Sequence, residues 1–364
     1  MKNKLSIIAC AIACITFLSA DEFFEAGSTI GGYGELHWNK ASNSDGELTK
    51  NQMDFHRFII YYGYNWTEKW SFKSEVELEH NFLPGGELEL EQAYVNYHTD
   101  KWGFQGGVIL PTAGLLNEHH EPPLFLSVER PLYSKYIIPT TWFGNGFAFY
   151  GKLNDFGWRI AILEDLNGSK ITNGIRDARG KGYKTYGTDL LKNLSLSYTG
   201  ITGLRIGGSV SMNNAPITFQ DDAGKDYILE DGKVKASIGI NLFEVNAKYD
   251  ANNIYAVAEY GQISYDNSNY SGFTGGNTTG YYFDLGYNIG DMVNCGKLIP
   301  WLRVSNVTRD AEAVDSSKNS DLMRFGLTWW PIDNIAFKLD YANVGNEASS
   351  DKTSELNIGI GYNF

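Results

Sequence analysis

Charged side chains recur at every second position in several stretches, and this spacing is suited to ion recognition. Lys73, Glu75, Glu77 and Glu79 alternate with uncharged, mostly apolar neighbours. Because an extended strand sends successive side chains to opposite faces, these four share one face. Closely spaced rings of charged side chains are what ion-selective passages use.

The same alternation predicts basic side chains on the polar faces of several strands, since the apolar set of each strand fixes its opposite face. The residues assigned in this way are Arg57, Lys73, Arg159, Arg205, Lys235, Arg303, Arg324 and Lys338. Two roles stay open for each of them. It either contacts a solute, or it pairs with an acidic residue of a neighbouring strand and holds the wall together.

Other ion-binding chemistry is weakly indicated. The run Glu118-His119-His120-Glu121 contains zinc and copper ligand types, but adjacent side chains point apart on an extended chain. A loop role is therefore favoured, and neither a metal nor a cofactor is predicted. A solvated turn rather than a calcium site is favoured for Asp221, Asp222, Asp226, Glu230 and Asp231.

No enzymatic motif is present. The sequence contains no phosphate-binding glycine loop, nucleophile elbow or His-Glu-x-x-His run. A membrane hydrolase would need a Ser–His pair at a barrel rim. The chain has six histidines, and His56, His80 and His98 are among those on predicted strands, so we predict that the protein is not an enzyme. A formal net charge of −13 disfavours nucleic-acid binding.

The segment 355–364 indicates that the elements carrying these charged residues are β-strands with one polar and one apolar face. Apolar residues at 356, 358, 360, 362 and 364 alternate with small or polar residues, as in a strand with one apolar and one polar face. A final strand ending in an aromatic such as Phe364 is typical of an outer-membrane barrel, whose polar face lines the lumen. The last strand of a soluble sandwich is the alternative.

The rest of the chain favours the barrel. Links after odd-numbered strands are mostly long and links after even-numbered strands mostly short, an asymmetry that membrane barrels show and sandwiches do not require. Aromatic residues make up 14% of the chain and 40 residues are glycine, which also fits a membrane barrel. Sixteen alternating strands are predicted at 29–39, 53–66, 70–82, 87–98, 102–109, 143–153, 156–164, 190–199, 204–213, 233–249, 253–265, 280–288, 298–307, 321–330, 335–343 and 355–364.

The predicted fold is therefore an all-β, transmembrane antiparallel β-barrel of about 16 strands. A bilayer requires every backbone polar group to be paired, and closure removes unpaired edges. A barrel of this width is too wide for side chains to fill, so it leaves an aqueous channel. A charge facing lipid near the midplane would cost about 2–4 kcal/mol, which places the charged residues named above inside.

The third long connection, residues 110–142, is not a simple polar loop. It holds five of the nine prolines: Pro111, Pro122, Pro123, Pro131 and Pro139. A rigid and partly apolar segment should be packed, so we predict that it folds into the lumen as a constriction, with a packed external cap as the alternative. Arg130 is its best pore candidate, with Glu118 and Glu121 available to offset its charge.

The N-terminus has the features of an export signal. Two lysines precede an apolar core, and small residues lie before a predicted cut at Asp21. Residues 1–20 are therefore predicted to be a signal peptide and residues 21–364 the barrel domain. A lipoprotein cut at Cys10 or Cys14 is the alternative. The barrel domain keeps one cysteine, Cys295, so no internal disulfide is predicted.

Four short motifs resemble one known family, the phosphate-selective porins O and P. They are Glu-Leu-Glu-Gln-Ala-Tyr-Val at 89–95, Leu-Leu-Asn-Glu-His-His-Glu-Pro-Pro at 115–123, Val-Glu-Arg-Pro at 128–131 and Ile-Ile-Pro-Thr-Thr-Trp at 137–142. The resemblance is firmest over 87–152. It implies a sixteen-stranded, trimeric outer-membrane channel whose constriction binds anions such as phosphate through arginines and lysines. The family's dense basic ladder does not map onto this sequence residue by residue, and the acidic net charge departs from the family pattern.

The sequence thus leads us to expect an outer-membrane porin of a Gram-negative bacterium, a homotrimer in contact with outer-membrane lipid. It would pass small hydrophilic solutes with a weak preference for inorganic anions. The most specific form of this prediction is a preference for phosphate. Two alternatives stay open. Glu75, Glu77 and Glu79 favour a non-selective or cation-leaning pore, and a loop that fills the lumen would give a plugged structural or adhesion barrel.

Overall fold

A computed structural model describes residues 24–81, 86–171, 174–270, 272–273, 275–309, 320–346 and 349–364. The predicted signal peptide, residues 1–20, and the alternative lipoprotein cysteines, Cys10 and Cys14, lie outside the described residues.

Sixteen antiparallel strands close into one barrel, and each strand pairs with its neighbours along the chain until the last pairs with the first. The barrel strands are β1 (Gly27–Ser42), β2 (Leu48–Asn65), β3 (Trp70–Glu79), β4 (Leu88–His98), β5 (Trp102–Ile109), β6 (Gly144–Leu153), β7 (Phe156–Leu163), β8 (Leu191–Ile201), β9 (Leu204–Pro216), β14 (Ser237–Ala251), β15 (Ile254–Asp266), β16 (Thr278–Tyr287), β17 (Lys297–Thr308), β18 (Ser320–Ile332), β19 (Ile335–Asn346) and β20 (Ser349–Asn363). The predicted fold class and strand count are confirmed.

Helical segments are short. Single helical turns occur at Leu115–Glu118, Tyr133–Tyr136 and Gly290–Val293, and 3₁₀ turns at Pro122–Leu124 and Gly168–Lys170. Within the described parts of the chain, no helix is long and apolar enough to cross a membrane.

One predicted strand begins too early. The connection from β9 to β14 carries two small hairpins, formed by β10 (Phe219–Gln220) with β11 (Asp226–Tyr227) and by β12 (Leu229–Glu230) with β13 (Lys233–Val234). Lys235 follows them, and its Nζ lies 3.3 Å from Glu230 Oε1. The placement of Lys235 on the polar face of a barrel strand is therefore wrong, because its alternating neighbours belong to a separate hairpin.

The predicted alternation decides which side chains enter the barrel. On β20, Ile358 is 48% exposed on the outer face while the adjacent Asn357 is 2% exposed. Rings also cluster on the outer face near the short turns, where Tyr97 lies 4.8 Å from Trp70 and 5.4 Å from Trp102 between ring centroids. An apolar outer band edged by aromatic rings is the surface of a transmembrane barrel.

The third long connection folds into the barrel, as the sequence predicts, and the alternative of an external cap is wrong. Its Val128 N–H donates to Asp340 Oδ2 on β19 at 2.7 Å, and its Leu115 N–H donates to Glu259 Oε1 on β15 at 3.0 Å. The Trp330 indole N–H on β18 donates to the Pro123 carbonyl at 3.0 Å. We call residues 110–143 the lumen loop.

A glycine on the wall allows the lumen loop to approach closely. A Cβ added to Gly361 would lie 2.3 Å from the Pro122 Cβ, and the proline ring cannot rotate away. We therefore predict that Gly361→Ala destabilises the folded barrel by about 1–3 kcal/mol through overpacking. The measurement is thermal loss of the folded electrophoretic form. Gly27→Ala is the control, because its Cβ would meet only Glu25 O at 3.9 Å, and equal stability of the two variants would contradict this packing.

Candidate pore constriction

The lumen loop separates two cavities. One, of about 440 Å³, lies towards the long connections and is lined by the later part of the loop, including Glu129, Arg130 and Thr141. The other, of about 1130 Å³, lies towards the short turns and is lined by the earlier part, including Thr112 and His119. We call them the long-loop cavity and the short-turn cavity.

Three of the predicted basic residues bind the lumen loop. Arg303 donates to both oxygens of Asp284, at 2.6 and 2.7 Å, and to Ser127 Oγ at 2.7 Å. Lys338 Nζ donates to the Ser127 carbonyl at 2.8 Å. Arg159 donates to the Leu110 carbonyl at 2.7 Å, where the loop begins. These cations point inward as predicted, but their hydrogen bonds fix the loop.

Two others pair with acids of the wall. Arg57 Nε lies 2.7 Å from Glu35 Oε1, and its Nη1 lies 3.2 Å from Glu77 Oε1. Arg324 pairs with Asp340 and donates to Glu355 Oε2 at 2.6 Å. Their charges are therefore largely compensated within the barrel. The remaining strand residues lie at the cavities: Lys73 and Arg205 line the short-turn cavity, and Glu79 lines the long-loop cavity.

Arg130 lies on the long-loop cavity, held by a backbone contact. It donates to the His120 carbonyl at 3.2 Å. The neighbouring Glu129 turns to the wall instead, with Oε1 3.1 Å from His37 Nδ1 and accepting from Asn39 Nδ2 at 2.9 Å. Burial alone would raise the pKa of Glu129, but the His37 ring lowers it to about 2.

The two acids expected to offset Arg130 have other partners. Glu118 Oε2 lies 3.5 Å from Arg205 Nη2, and its Oε1 accepts from Thr112 Oγ1 at 2.5 Å. Glu121 accepts from the Tyr61 hydroxyl at 3.3 Å. Both acids line the short-turn cavity, whereas Arg130 lines the long-loop cavity.

Two arginines of the next long connection were not predicted from the sequence. Arg176 donates to the Thr140 carbonyl at 3.2 Å, and Arg179 donates to the Thr141 carbonyl. Burial, with help from the charge of Arg176, lowers the pKa of Arg179 to about 10, which leaves it protonated at neutral pH. The available signal was the Arg-Asp-Ala-Arg run at 176–179, which lies outside any alternating strand.

The two cavities differ in charge. The long-loop cavity is lined by ten lysine and arginine residues and six glutamates. The short-turn cavity is lined by five basic and five acidic residues. Among the described residues that line the cavities, the excess of positive charge thus lies on one side of the lumen loop, the side of Arg130, Arg176 and Arg179.

One of the predicted glutamates, Glu75, contacts a histidine of the lumen loop. His120 Nε2 lies 3.2 Å from Glu75 Oε1, and Glu91, which the sequence analysis did not single out, is 3.7 Å from the same nitrogen. His119 and His120 both line the short-turn cavity, but His119 is exposed and His120 is buried. The two adjacent histidines therefore differ in exposure, and the contact of His120 with Glu75 and Glu91 was not predicted from the sequence.

A sixteen-stranded barrel with an inward-folded third long connection is the porin fold. Similar solved structures include an anion-selective porin from Comamonas acidovorans, with a TM-score of 0.60 and 12% identity over 93% of this chain and 100% of that chain. They also include the outer membrane channel DcaP of Acinetobacter baumannii (0.60 and 13%, over 93% and 97%) and the trimer form of in-vitro folded OmpT from Vibrio cholerae (0.57 and 12%, over 93% and 100%).

No protein-family model matches the chain. The chain is 31% identical over 351 residues to an uncharacterised protein of Aquifex aeolicus (strain VF5), covering 89% of this chain and 77% of the relative. It belongs to the same protein family as that relative. The narrower assignment to the phosphate-selective porins stays a prediction.

The buried Arg303–Asp284 pair should be needed for stability. Arg303→Met leaves the carboxylate of Asp284 buried without its partner, which we expect to lower the free energy of unfolding by about 3–5 kcal/mol. Denaturant titration of the detergent-solubilised barrel measures the loss. Lys73→Met is the matched control, because Lys73 is exposed in the lumen and should change stability by no more than about 0.5 kcal/mol. Adding Asp284→Asn to Arg303→Met should recover part of the loss, and strict additivity would contradict the assigned pairing.

Proposed function

We propose that the protein is an outer-membrane porin of a Gram-negative bacterium, a passive channel for small hydrophilic solutes that prefers anions. The observation that carries this proposal is the pair of lumen cavities, of which the long-loop cavity has ten basic residues against six acidic ones. The barrel supplies a wall with an apolar outer band and a polar interior, and the lumen loop narrows the passage.

The preference for anions rests on which charges are already neutralised. Arg303 and Arg324 hydrogen-bond to carboxylates, so their fields are largely cancelled. For Arg130, Arg176 and Arg179, the hydrogen bonds among the described residues go to carbonyl oxygens, which carry no net charge. These three arginines keep their positive charge at the long-loop cavity. Guanidinium groups suit the geometry of phosphate, which makes phosphate the sharpest candidate.

The pairing of the glutamates weighs against a cation-leaning pore. Glu77 is paired with Arg57, and Glu75 lies against His120. Of the three glutamates that favoured this alternative, only Glu79 lines the long-loop cavity without an ion-pair partner among the described residues. The locally positive lining also explains how a chain with a net charge of −13 can attract anions.

A plugged structural or adhesion barrel is the second candidate, and the packing of the lumen loop favours it. Leu126, Tyr133 and Ile137 are each 0% exposed, so the loop is packed like a protein core rather than like a thin constriction. Such packing is also compatible with an open channel if the passage runs beside the loop. The two candidates therefore differ in whether the native protein conducts.

Assembly and export follow the same reasoning. We propose a homotrimer, because one structurally similar protein, OmpT of Vibrio cholerae, is described in a trimer form. The proposed precursor carries a signal peptide at residues 1–20, which is removed to leave the domain 21–364.

Replacing residues 124–135 by a short Gly-Ser linker separates the porin from the plugged barrel. If the native protein is a porin, it should conduct in a planar bilayer, and the variant should conduct modestly more. A native protein that is closed, combined with a variant that opens, would contradict the porin. The control is a linker of equal length that replaces residues 221–231 in the connection from β9 to β14, which should leave the conductance unchanged.

Removing the two loop arginines should weaken the anion preference. Arg176→Gln with Arg179→Gln should lower the anion-to-cation permeability ratio, because each cation near a hydrated passage contributes about 0.5–1 kcal/mol, or about two- to fivefold. The zero-current potential in a KCl gradient reports the ratio. The matched control is Lys235→Gln, which removes a cation outside the lumen. Phosphate block of the chloride current should also weaken in the double variant, and an unchanged ratio and block would contradict a role for these arginines.

A further inference from the structure

Three buried side chains from separate segments converge where the lumen loop meets the wall. They are Glu75 on β3, Glu91 on β4 and His120 on the lumen loop, exposed by 1%, 0% and 2%. His120 Nε2 lies 3.2 Å from Glu75 Oε1 and 3.7 Å from Glu91 Oε2. Three potential ligand atoms of these residues lie within 4.8 Å of one another.

The other polar atom of each side chain is held by a neighbour. Gln92 Nε2 donates to Glu75 Oε2 at 2.5 Å, and the Thr141 hydroxyl donates to Glu91 Oε1. His120 Nδ1 lies 3.1 Å from the Asn117 carbonyl, which can only accept, so Nδ1 carries the hydrogen. Metal-binding carboxylates and histidines are oriented in this way by outer hydrogen bonds. The three remaining atoms therefore face one another in fixed directions.

This convergence places two negatively charged carboxylates together without a matching positive charge. With Nδ1 protonated, a neutral His120 aims the lone pair of Nε2 at two carboxylate oxygens. Glu91 Oε2 is fully buried and accepts no hydrogen bond from the described residues. The buried Tyr33 hydroxyl also has no hydrogen-bond partner among them, and the rings of Tyr33 and His120 lie 5.9 Å apart between centroids. Orphaned buried polar atoms call for an ion or a water. A cation bound between Glu75 Oε1, Glu91 Oε2 and His120 Nε2 would give all three atoms a partner.

The nearby lysine and arginine side chains bind other groups. Arg57 pairs with Glu77, and Lys181 pairs with Glu87 and Glu89. Arg130 donates to the backbone carbonyl of His120 rather than to a carboxylate. Among the described residues, the ion-pair partner of Glu75 and Glu91 is therefore His120, and neither carboxylate pairs directly with a lysine or an arginine. A divalent cation would neutralise both.

We propose that Glu75, Glu91 and His120 bind one divalent first-row transition-metal ion, of which zinc is the representative, and that this ion fastens the lumen loop to the wall. Ligands about 2.0–2.2 Å from a tetrahedral zinc lie about 3.4 Å apart, close to the two distances from Nε2. One imidazole with two carboxylates suits such ions better than calcium or magnesium. Glu75 and His120 also line the short-turn cavity, which gives an ion a route to the site.

Zinc binding by the full-length folded barrel tests the proposal. Chelator-treated protein should take up one zinc ion per chain and keep it through dialysis, as measured by elemental analysis and calorimetric titration. Glu91→Gln and His120→Gln should each weaken binding by more than about 100-fold, since loss of an outer hydrogen bond alone costs 10–100-fold. Heat-modifiable electrophoretic migration shows that each variant is folded. Glu91 also lies close to Glu77 and Glu89, so His120→Gln is the deciding variant, and Glu75→Gln replaces it if it fails to fold.

A second cluster in the same barrel provides the matched control. Asp54, His56 and His80 also place three ligand types close together, but Asp54 already binds both rings, at 3.0 Å and 2.9 Å. His56→Gln should leave zinc binding unchanged. Loss of zinc in His56→Gln with retention in Glu91→Gln would overturn the assigned site, and no zinc retained by the native protein would overturn the proposal. Zinc content is measured without recording any current, so a negative result for the zinc site can be told apart from a negative result for the proposed channel function.

Discussion

The constraint on which the rest of the structure depends is that a chain in lipid must pair every backbone polar group within itself. Sixteen strands meet it by closing, with β20 bonded to β1. Closure forces the period-2 alternation, which sends charged side chains inward and apolar ones outward. The enclosed charges then need partners of their own, because a buried charge is costly unless it is paired. In this barrel a large share of those partners is supplied by one loop that enters the lumen.

Pairing divides the interior charges into two groups. Arg303 and Lys338 meet at Ser127 and hold the lumen loop, so their substitution should affect architecture before it affects permeation. Arg130, Arg176 and Arg179 rest on carbonyl oxygens and keep their field at the long-loop cavity. The number of inward charges therefore says little about selectivity. The acids and carbonyls that accept from them decide which charges a solute meets.

The strands could be predicted because their signal is local: alternation within about ten residues and the contrast of long and short links. The inward lumen loop was also predictable, from its prolines and apolar residues. The partners of the charges could not be, because they depend on contacts far apart in sequence. On β4, a register shift opposite Glu75 and Val76 interrupts the simple alternation, so Glu91 and Gln92 both reach Glu75 or its neighbours. Arg176 and Arg179 lie on a loop, where no alternation indicates a direction. The prediction for Lys235 was wrong for a related reason: a short hairpin lies where the barrel strand was expected to begin.

We propose that the lumen stays open beside its loop and that the arginines whose hydrogen bonds go to carbonyl oxygens set its selectivity. The most direct test is the zero-current potential of the native protein in a planar bilayer with a KCl gradient across it. We predict a potential of the sign set by chloride, which would mean that anions cross more readily than cations. A potential of the sign set by potassium would contradict the selectivity, and a bilayer that stays silent with folded protein inserted would contradict the channel itself.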